Sequence, residues 1–166
     1  RPDRVCNVHF FNPALVMKKH FQIVGRGIGL VVGCGTFPTW NTYPGLFAAL
    51  STGNAVIVKP HPAAILPLAI TVRIVREVLA EAGFDPNVVT LVAHAAGDDV
   101  AQKLALRPEV RIIDFTGSSA NGNWLETHAR QAQVYTEKAG VNQVIVDSTP
   151  DLAGLARNLA FSLSLY

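Results

Sequence analysis

Cysteine is nearly missing from this chain, since Cys6 and Cys34 are the only two among 166 residues. Two thiols cannot build the disulfide framework of a small secreted domain, so a reduced, cytosolic setting is expected. No pair of His or Cys stands at metal-ligand spacing, and a zinc site is not expected. Charge is sparse as well: 14 Lys and Arg face 12 Asp and Glu, for a formal net charge of +2. The basic residues are scattered, with no stripe for a nucleic-acid groove. Long apolar runs are lacking too. The longest, "AAILPLAITV", contains a proline and meets Arg73, so it falls short of a membrane span. What is present is 49% hydrophobic residue, enough for one packed core.

Residues 1–26 read as an irregular segment leading into the domain, although "HFQIVGR" has a strand-like composition. From residue 27 to 166 apolar runs and helical patterns alternate. "GIGLVVG" predicts a buried strand, followed by the turn-rich "CGTFPTWNTYPG" and a short helix in "LFAALSTG" that stops at Gly53. "NAVIVK" predicts a strand and "AAILPLAITVRIVREVLAEAG" the longest helix, with Gly83 at its end. Then come strand "VVTLVA", helix "DDVAQKLALR", strand "VRIIDF" and a helix from about Ser118 to Arg130. Strands "QVYTE" and "QVIVD" and a last helix, "DLAGLARNLAFSL", complete the pattern. This alternation predicts an α/β fold with an open, mostly parallel sheet and helices on both faces. The chain begins without Met and stops inside an apolar helical pattern, so a piece of a longer polypeptide is expected.

Nucleotide fingerprints are incomplete. G-x-G-x-x-G is absent, because "GCGTFP" places Pro38 at the third glycine. "FTGSSANGN" spaces Gly117 and Gly122 like a triphosphate loop, but Asn123 stands where lysine is required. The loop nonetheless follows a strand and opens a helix, where backbone N–H groups and the helix dipole favour a phosphate. Ser118 can cap that helix, and an ordinary capped turn, the commoner case, explains the same residues. Lys59 ends "NAVIVK", at the ligand face of a parallel sheet; a lysine snorkelling from the sheet edge is an equal alternative. Asn41 can donate to a developing oxyanion, or be a turn asparagine beside a packed Trp40. Glu137 can act as a general base, although most such glutamates are solvated. Cys34 reads as an inert core thiol, and His61 is the histidine nearest the ligand face.

Taken in order, "TFPTWNTYPGLFAALSTGNAVIVKPHP", "EAGFDPNVVTLV", "FTGSSANGN" and "VYTEKAGVNQVIVDSTPDL" resemble the aldehyde dehydrogenase superfamily, from about Gly27 to the end. Two stretches, "TFPTWNTYPGLFAAL" and "VKPHPAAILPLAITVRI", most resemble the PaaN-type proteins of phenylacetic acid degradation. The resemblance implies a Rossmann-like cofactor domain that binds NAD or NADP. It makes Asn41 the oxyanion donor and Glu137 the base for thioester hydrolysis. Thr39 and Trp40 would line the nicotinamide side. Lys59 would touch the adenosine ribose, with His61 beside it. Thr116, Gly117 and Ser118, with Gly122 closing the turn, would face the pyrophosphate.

Departures qualify this picture. The family's E-L-G-G-K reads "EKAGV" here, and Pro62 replaces the acid that often holds ribose hydroxyls. Without that acid a 2′-phosphate is not repelled, which leans the expectation toward NADP. The family's nucleophilic cysteine would lie beyond Tyr166, so the 166 residues alone are expected not to turn over. The implied substrate is a small aldehyde, in phenylacetate catabolism a ring-opened derivative carried as a coenzyme A thioester. A cytoplasmic homo-oligomer is implied for the full enzyme. A non-catalytic nucleotide-binding homologue and a coenzyme A-acylating enzyme are the rivals.

Overall fold

The protein is represented by a computed structural model that describes residues 6–9, 16–141 and 143–164, with side chains described from His20 onward. Five parallel strands form one sheet: β3 (Ile28–Val32), β4 (Ala55–Lys59), β5 (Val89–Leu91), β6 (Val110–Gly117) and β7 (Gln133–Lys138). Their spatial order is β5-β4-β3-β6-β7. The chain winds outward from β3 through β4 to β5, then returns to the other edge of β3 as β6. The switch point therefore lies between β3 and β6, where sheets of this kind open a crevice beyond the carboxyl ends of the strands. Two further strands, β1 (Cys6–His9) and β2 (Val16–Lys19), form a separate antiparallel pair.

Strand alternation distributes the core over two faces. Leu30, Val32, Ile113 and Phe115 pack with Ala105 of α3 (Val100–Ala105) and Leu125 of α4 (Ser119–His128). Val31, Val56, Val58 and Val89 pack with Leu46 of α1 (Pro38–Ser51) and Leu68 and Val72 of α2 (Ile65–Glu81). Each Val, Leu, Ile or Phe among them, taken fully out of water, contributes on the order of 1.5–3 kcal/mol. Gly53 and Gly83, at φ +77° and +78°, end α1 and α2 as read from the sequence. The next residue in each case, Asn54 or Phe84, returns its N–H to the carbonyl five residues back, at 3.0 and 2.8 Å.

Several elements depart from the sequence reading. The turn-rich "CGTFPTWNTYPG" is largely helix, because α1 starts at Pro38. Proline suits a first helical position, and Thr42, Leu46 and Ala49 form a buried stripe that overrides the breakers Pro44 and Gly45. Thr39, Trp40 and Asn41 therefore sit in the first turn of a helix. Residues 143–147 form no strand, and "HFQIVGR" joins no ladder. Among the described residues neither run meets a partner strand, and β-composition alone does not make a sheet. The segment read as irregular holds β1 and β2. The last helix is present as α5 (Leu152–Leu163), capped by Asp151 Oδ1, which accepts from Gly154 N at 2.8 Å.

One buried polar residue clamps the entry to β3. Asn54 Oδ1 accepts from Arg26 N (2.6 Å) and Gly27 N (3.1 Å), while its Nδ2 donates to Ala49 O (3.1 Å) and Thr52 Oγ1 (2.9 Å). Asn54→Ala would strand these groups and is expected to cost about 2–4 kcal/mol. A denaturant midpoint lowered at unchanged slope would show it; an unchanged midpoint would refute the clamp.

Candidate functional site

The carboxyl ends of β3, β4, β6 and β7 surround a cleft of about 710 Å³. A smaller cavity of about 330 Å³ adjoins it on the α3–α4 side and shares Lys59, His61, Phe115 and Asn121 with it. The two open at the switch point.

Four polar side chains from three parts of the chain meet at the larger cleft. Asn41, in the first turn of α1, donates through Nδ2 to Glu137 Oε2 at 3.1 Å. The thiol of Cys34, just after β3, donates to the carbonyl oxygen of the same amide at 3.4 Å. Thr116 Oγ1 donates to Glu137 Oε2 at 3.4 Å. The sheet dictates this meeting, because Thr116 and Glu137 are opposite partners in the parallel β6–β7 register. The amide is thus turned with its NH2 toward the carboxylate. Two N–H bonds leave one donor beyond the contact with Glu137. Cys34, read as an inert core residue, is half-buried at the cleft wall. Its place directly after the strand at the switch point was the signal.

Lys59 settles one alternative. It ends an interior strand and is only 6% exposed, so it does not snorkel from a sheet edge. Burial pulls its pKa below the ordinary lysine value. Among the described residues its ammonium has no hydrogen-bond or ion-pair partner, although it lines both cavities. A buried cation without a partner is costly, and an anionic or hydroxyl-rich ligand would satisfy it. Beside it, His61 accepts from Ala63 N at 3.2 Å through Nδ1 and also lines both cavities. His94 lines the smaller cavity with a buried Nε2 that has no partner, a second polar atom awaiting one.

The "FTGSSANGN" loop divides its labour. Ser118 is the N-cap of α4, and its hydroxyl accepts from Asn121 N at 3.3 Å. Thr116, Gly117 and Ser118 line the larger cleft. Gly122 does not: it is buried in α4, where a Cβ would come within 2.7 Å of the Lys138 stem. It serves the close approach of helix to strand. The charge of Lys138 is directed to Glu126 (2.9 Å) and Asn123 (2.9 Å) on α4, away from Glu137. Thr39 is half-buried, Trp40 is 77% exposed, and neither lines either cavity.

One acid was overlooked in the sequence. Asp114 interrupts the apolar run of β6 and is partly buried under α1. Burial first, and the nearby Glu137 second, push its carboxyl pKa up.

Similarity to known proteins agrees with this architecture. The model of the aldehyde dehydrogenase family matches residues 22–166. The 1-pyrroline-5-carboxylate dehydrogenase of Bacillus subtilis is 31% identical over 155 residues, covering 89% of this chain and 29% of the relative. A crystal structure of an NAD-dependent aldehyde dehydrogenase from Burkholderia multivorans superposes with a TM-score of 0.84 and 67% identity, over 99% of this chain and 30% of that one. The glyceraldehyde-3-phosphate dehydrogenase GapN of Methanocaldococcus jannaschii, solved with NADP, gives a TM-score of 0.65 at 26% identity, over 72% of this chain and 26% of that one. The chain spans less than a third of the length of each of these relatives.

Burial of Lys59 makes a stability prediction. Its pKa is lower folded than unfolded, so the folded state holds that proton less tightly. The resulting penalty is complete at neutral pH and fades as pH rises through the folded pKa. Lys59→Met is therefore expected to raise the melting temperature at pH 7 by a few degrees, with the gain shrinking at strongly alkaline pH. A lowered melting temperature at pH 7 would mean that the ammonium is stabilising.

Proposed function

The chain belongs to the aldehyde dehydrogenase family, and on that premise we propose that it is the dinucleotide-holding part of an enzyme that oxidises an aldehyde to its acid with NAD⁺ or NADP⁺. The observation that carries this reading is the contact of Asn41 with Glu137, 96 positions apart in sequence, beside the buried Lys59. Nucleotide binding alone requires neither the amide nor the carboxylate.

The residues present suit a dinucleotide. Lys59 and His94 Nε2 offer unpartnered polar groups to the cavities. Ser118 brings the start of α4 to the same cleft, where N–H groups and the dipole favour phosphate oxygens. When bound, the dinucleotide supplies the hydride acceptor. Asn41 supplies an N–H for the oxygen that becomes negative when a thiolate adds to the aldehyde carbon. That thiolate comes from a cysteine other than Cys34, whose thiol donates to the Asn41 carbonyl oxygen. Glu137, held by Asn41 and Thr116, accepts a proton from the water that releases the acyl group as acid.

The cofactor we favour is NADP. Pro62, not an acid, lines the smaller cavity beside Lys59 and His61. The nearby carboxylates are engaged elsewhere: Asp99 pairs with Lys103 at 2.7 Å, and Asp98 accepts from Ala95 N at 3.1 Å. For substrate, the two PaaN-like stretches support an aldehyde from ring-opened phenylacetate, carried as a coenzyme A thioester. The rival is the semialdehyde partner of 1-pyrroline-5-carboxylate, by the name of the Bacillus relative. Comparing kcat/KM for the two aldehydes decides between them.

In the active enzyme, Asn41→Ala is expected to slow hydride transfer by about 100–1000-fold, the usual loss of an oxyanion donor, while dinucleotide affinity is kept. Glu137→Gln should preserve a burst of reduced cofactor and slow the turnover that follows it. Rapid-mixing absorbance reads both steps. Full activity in the Asn41 variant would defeat the assignment, and tighter binding of NAD⁺ than NADP⁺ would reverse the cofactor choice.

A further inference from the structure

Asp114 has no structural reason to be an acid. It stands opposite Val31 of β3 and Tyr135 of β7, on the sheet face that α1 covers. Helix α1 makes room for it with a glycine, since a Cβ on Gly45 would lie 2.3 Å from Asp114 Oδ2. Glycine inside a helix is itself destabilising. Among the described residues no hydrogen bond or ion pair reaches the Asp114 carboxylate. Two unfavourable choices thus coincide one strand step below the Asn41–Glu137 contact, and such local conflicts gather at functional positions.

The register shows what Asp114 faces. Asp114 pairs with Tyr135 and Thr116 with Glu137, so the two acids are diagonal neighbours on one face of the sheet. The α1 sequence, PTWNTYPGLFAALS, brings no charged residue to them. Its one ionisable group, Tyr43, bonds Thr71 at 3.2 Å. From β3 there is no charged side chain, and beyond it only the Cys34 thiol. From β7 come Tyr135, which is exposed, and Glu137. Lys59 alternates to the opposite face from Val58, and Lys138 is bound to Glu126 on the α4 side. Among the described residues nothing cationic separates the two carboxylates.

We propose that Asp114 is a positioning residue for the general base: Asp114 and Glu137 form a carboxyl pair that shares the proton taken from the attacking water. This rests on the reading of Glu137 as that base. As the water oxygen bonds to the acyl carbon, its O–H bond breaks and the proton joins Glu137; the carbon–sulfur bond of the thioester then breaks, releasing the acyl group as acid and the sulfur as thiolate. The proton is held by the pair, whose two negative charges favour taking it up. It then leaves to solvent along the open face of β7, and both carboxylates are restored. Removing the Glu137 charge weakens proton uptake by Asp114.

The test has two arms. Carboxyl ¹³C NMR of the protein should show Asp114 titrating above the usual carboxylate range. Glu137→Gln should lower that midpoint enough to raise the Asp114 acid constant at least threefold. An unmoved midpoint would overturn the pair. In the active enzyme, Asp114→Asn should lower kcat at least tenfold, move the acid limb of kcat to lower pH, and leave dinucleotide affinity unchanged. Asn is close in size to Asp and removes a penalised charge, so this variant should melt no lower than the wild type at pH 7. An unchanged kcat–pH profile in Asp114→Asn, with Glu137→Gln still slow, would overturn the proton sharing alone. Unchanged turnover in Glu137→Gln would instead sink the general-base reading, and the role of Asp114 with it.

Discussion

Parallel pairing of β3 on both of its edges is the constraint from which the rest follows. With β4 on one side and β6 on the other, the chain must reverse its winding at β3. The segments leaving β3 and β6 then diverge over opposite faces and leave a crevice between them. α1 takes up one side of that crevice and the Ser118-capped α4 the other. Because β7 extends the sheet next to β6, Glu137 arrives opposite Thr116 without any loop having to carry it. Side chains held on strands and a helix first turn are placed more firmly than side chains on loops.

Several features in and beside the cleft do not stabilise the fold. Lys59 is a buried cation without a partner, and His94 keeps an unsatisfied buried nitrogen. Asp114 is an uncompensated acid under a helical glycine. Elsewhere aliphatic side chains fill both faces of the sheet and Asn54 is fully bonded, while Thr42 Oγ1 in α1 is, among the described residues, a further buried atom without a partner. Exceptions of this kind beside a crevice have the pattern expected where function competes with stability.

Much of this was legible in the sequence because the signals were local. Short apolar runs marked the five parallel strands, and Gly53 and Gly83 marked helix ends by the backbone conformation they supply. Ser118 was readable as a cap for the same reason. Where tertiary packing decided the outcome, local reading failed. Pro44 and Gly45 concealed a helix whose buried stripe holds it together. Residues 143–147 had strand composition but found no partner among the described residues. The site was legible in part: Lys59 and Glu137 stand out as polar residues at strand ends, and Asn41 in the turn-rich segment that follows the first buried strand. Their mutual contact depends on register, which no single segment encodes. Asp114 escaped notice and Cys34 read as inert, because each acquires meaning only from a neighbour on another element. Gly122, read as a phosphate-loop glycine, owes its place to the Lys138 stem instead.

A nicotinamide dinucleotide is expected in the crevice between β3 and β6. Backbone amide NMR of the protein titrated with NADP⁺ tests it most directly. Saturable shifts are expected at residues 33–41, 59–62, 94–99 and 116–121, around the two cavities. Shifts confined to the outer faces of α2 or α5, or no shifts at millimolar cofactor, would contradict it.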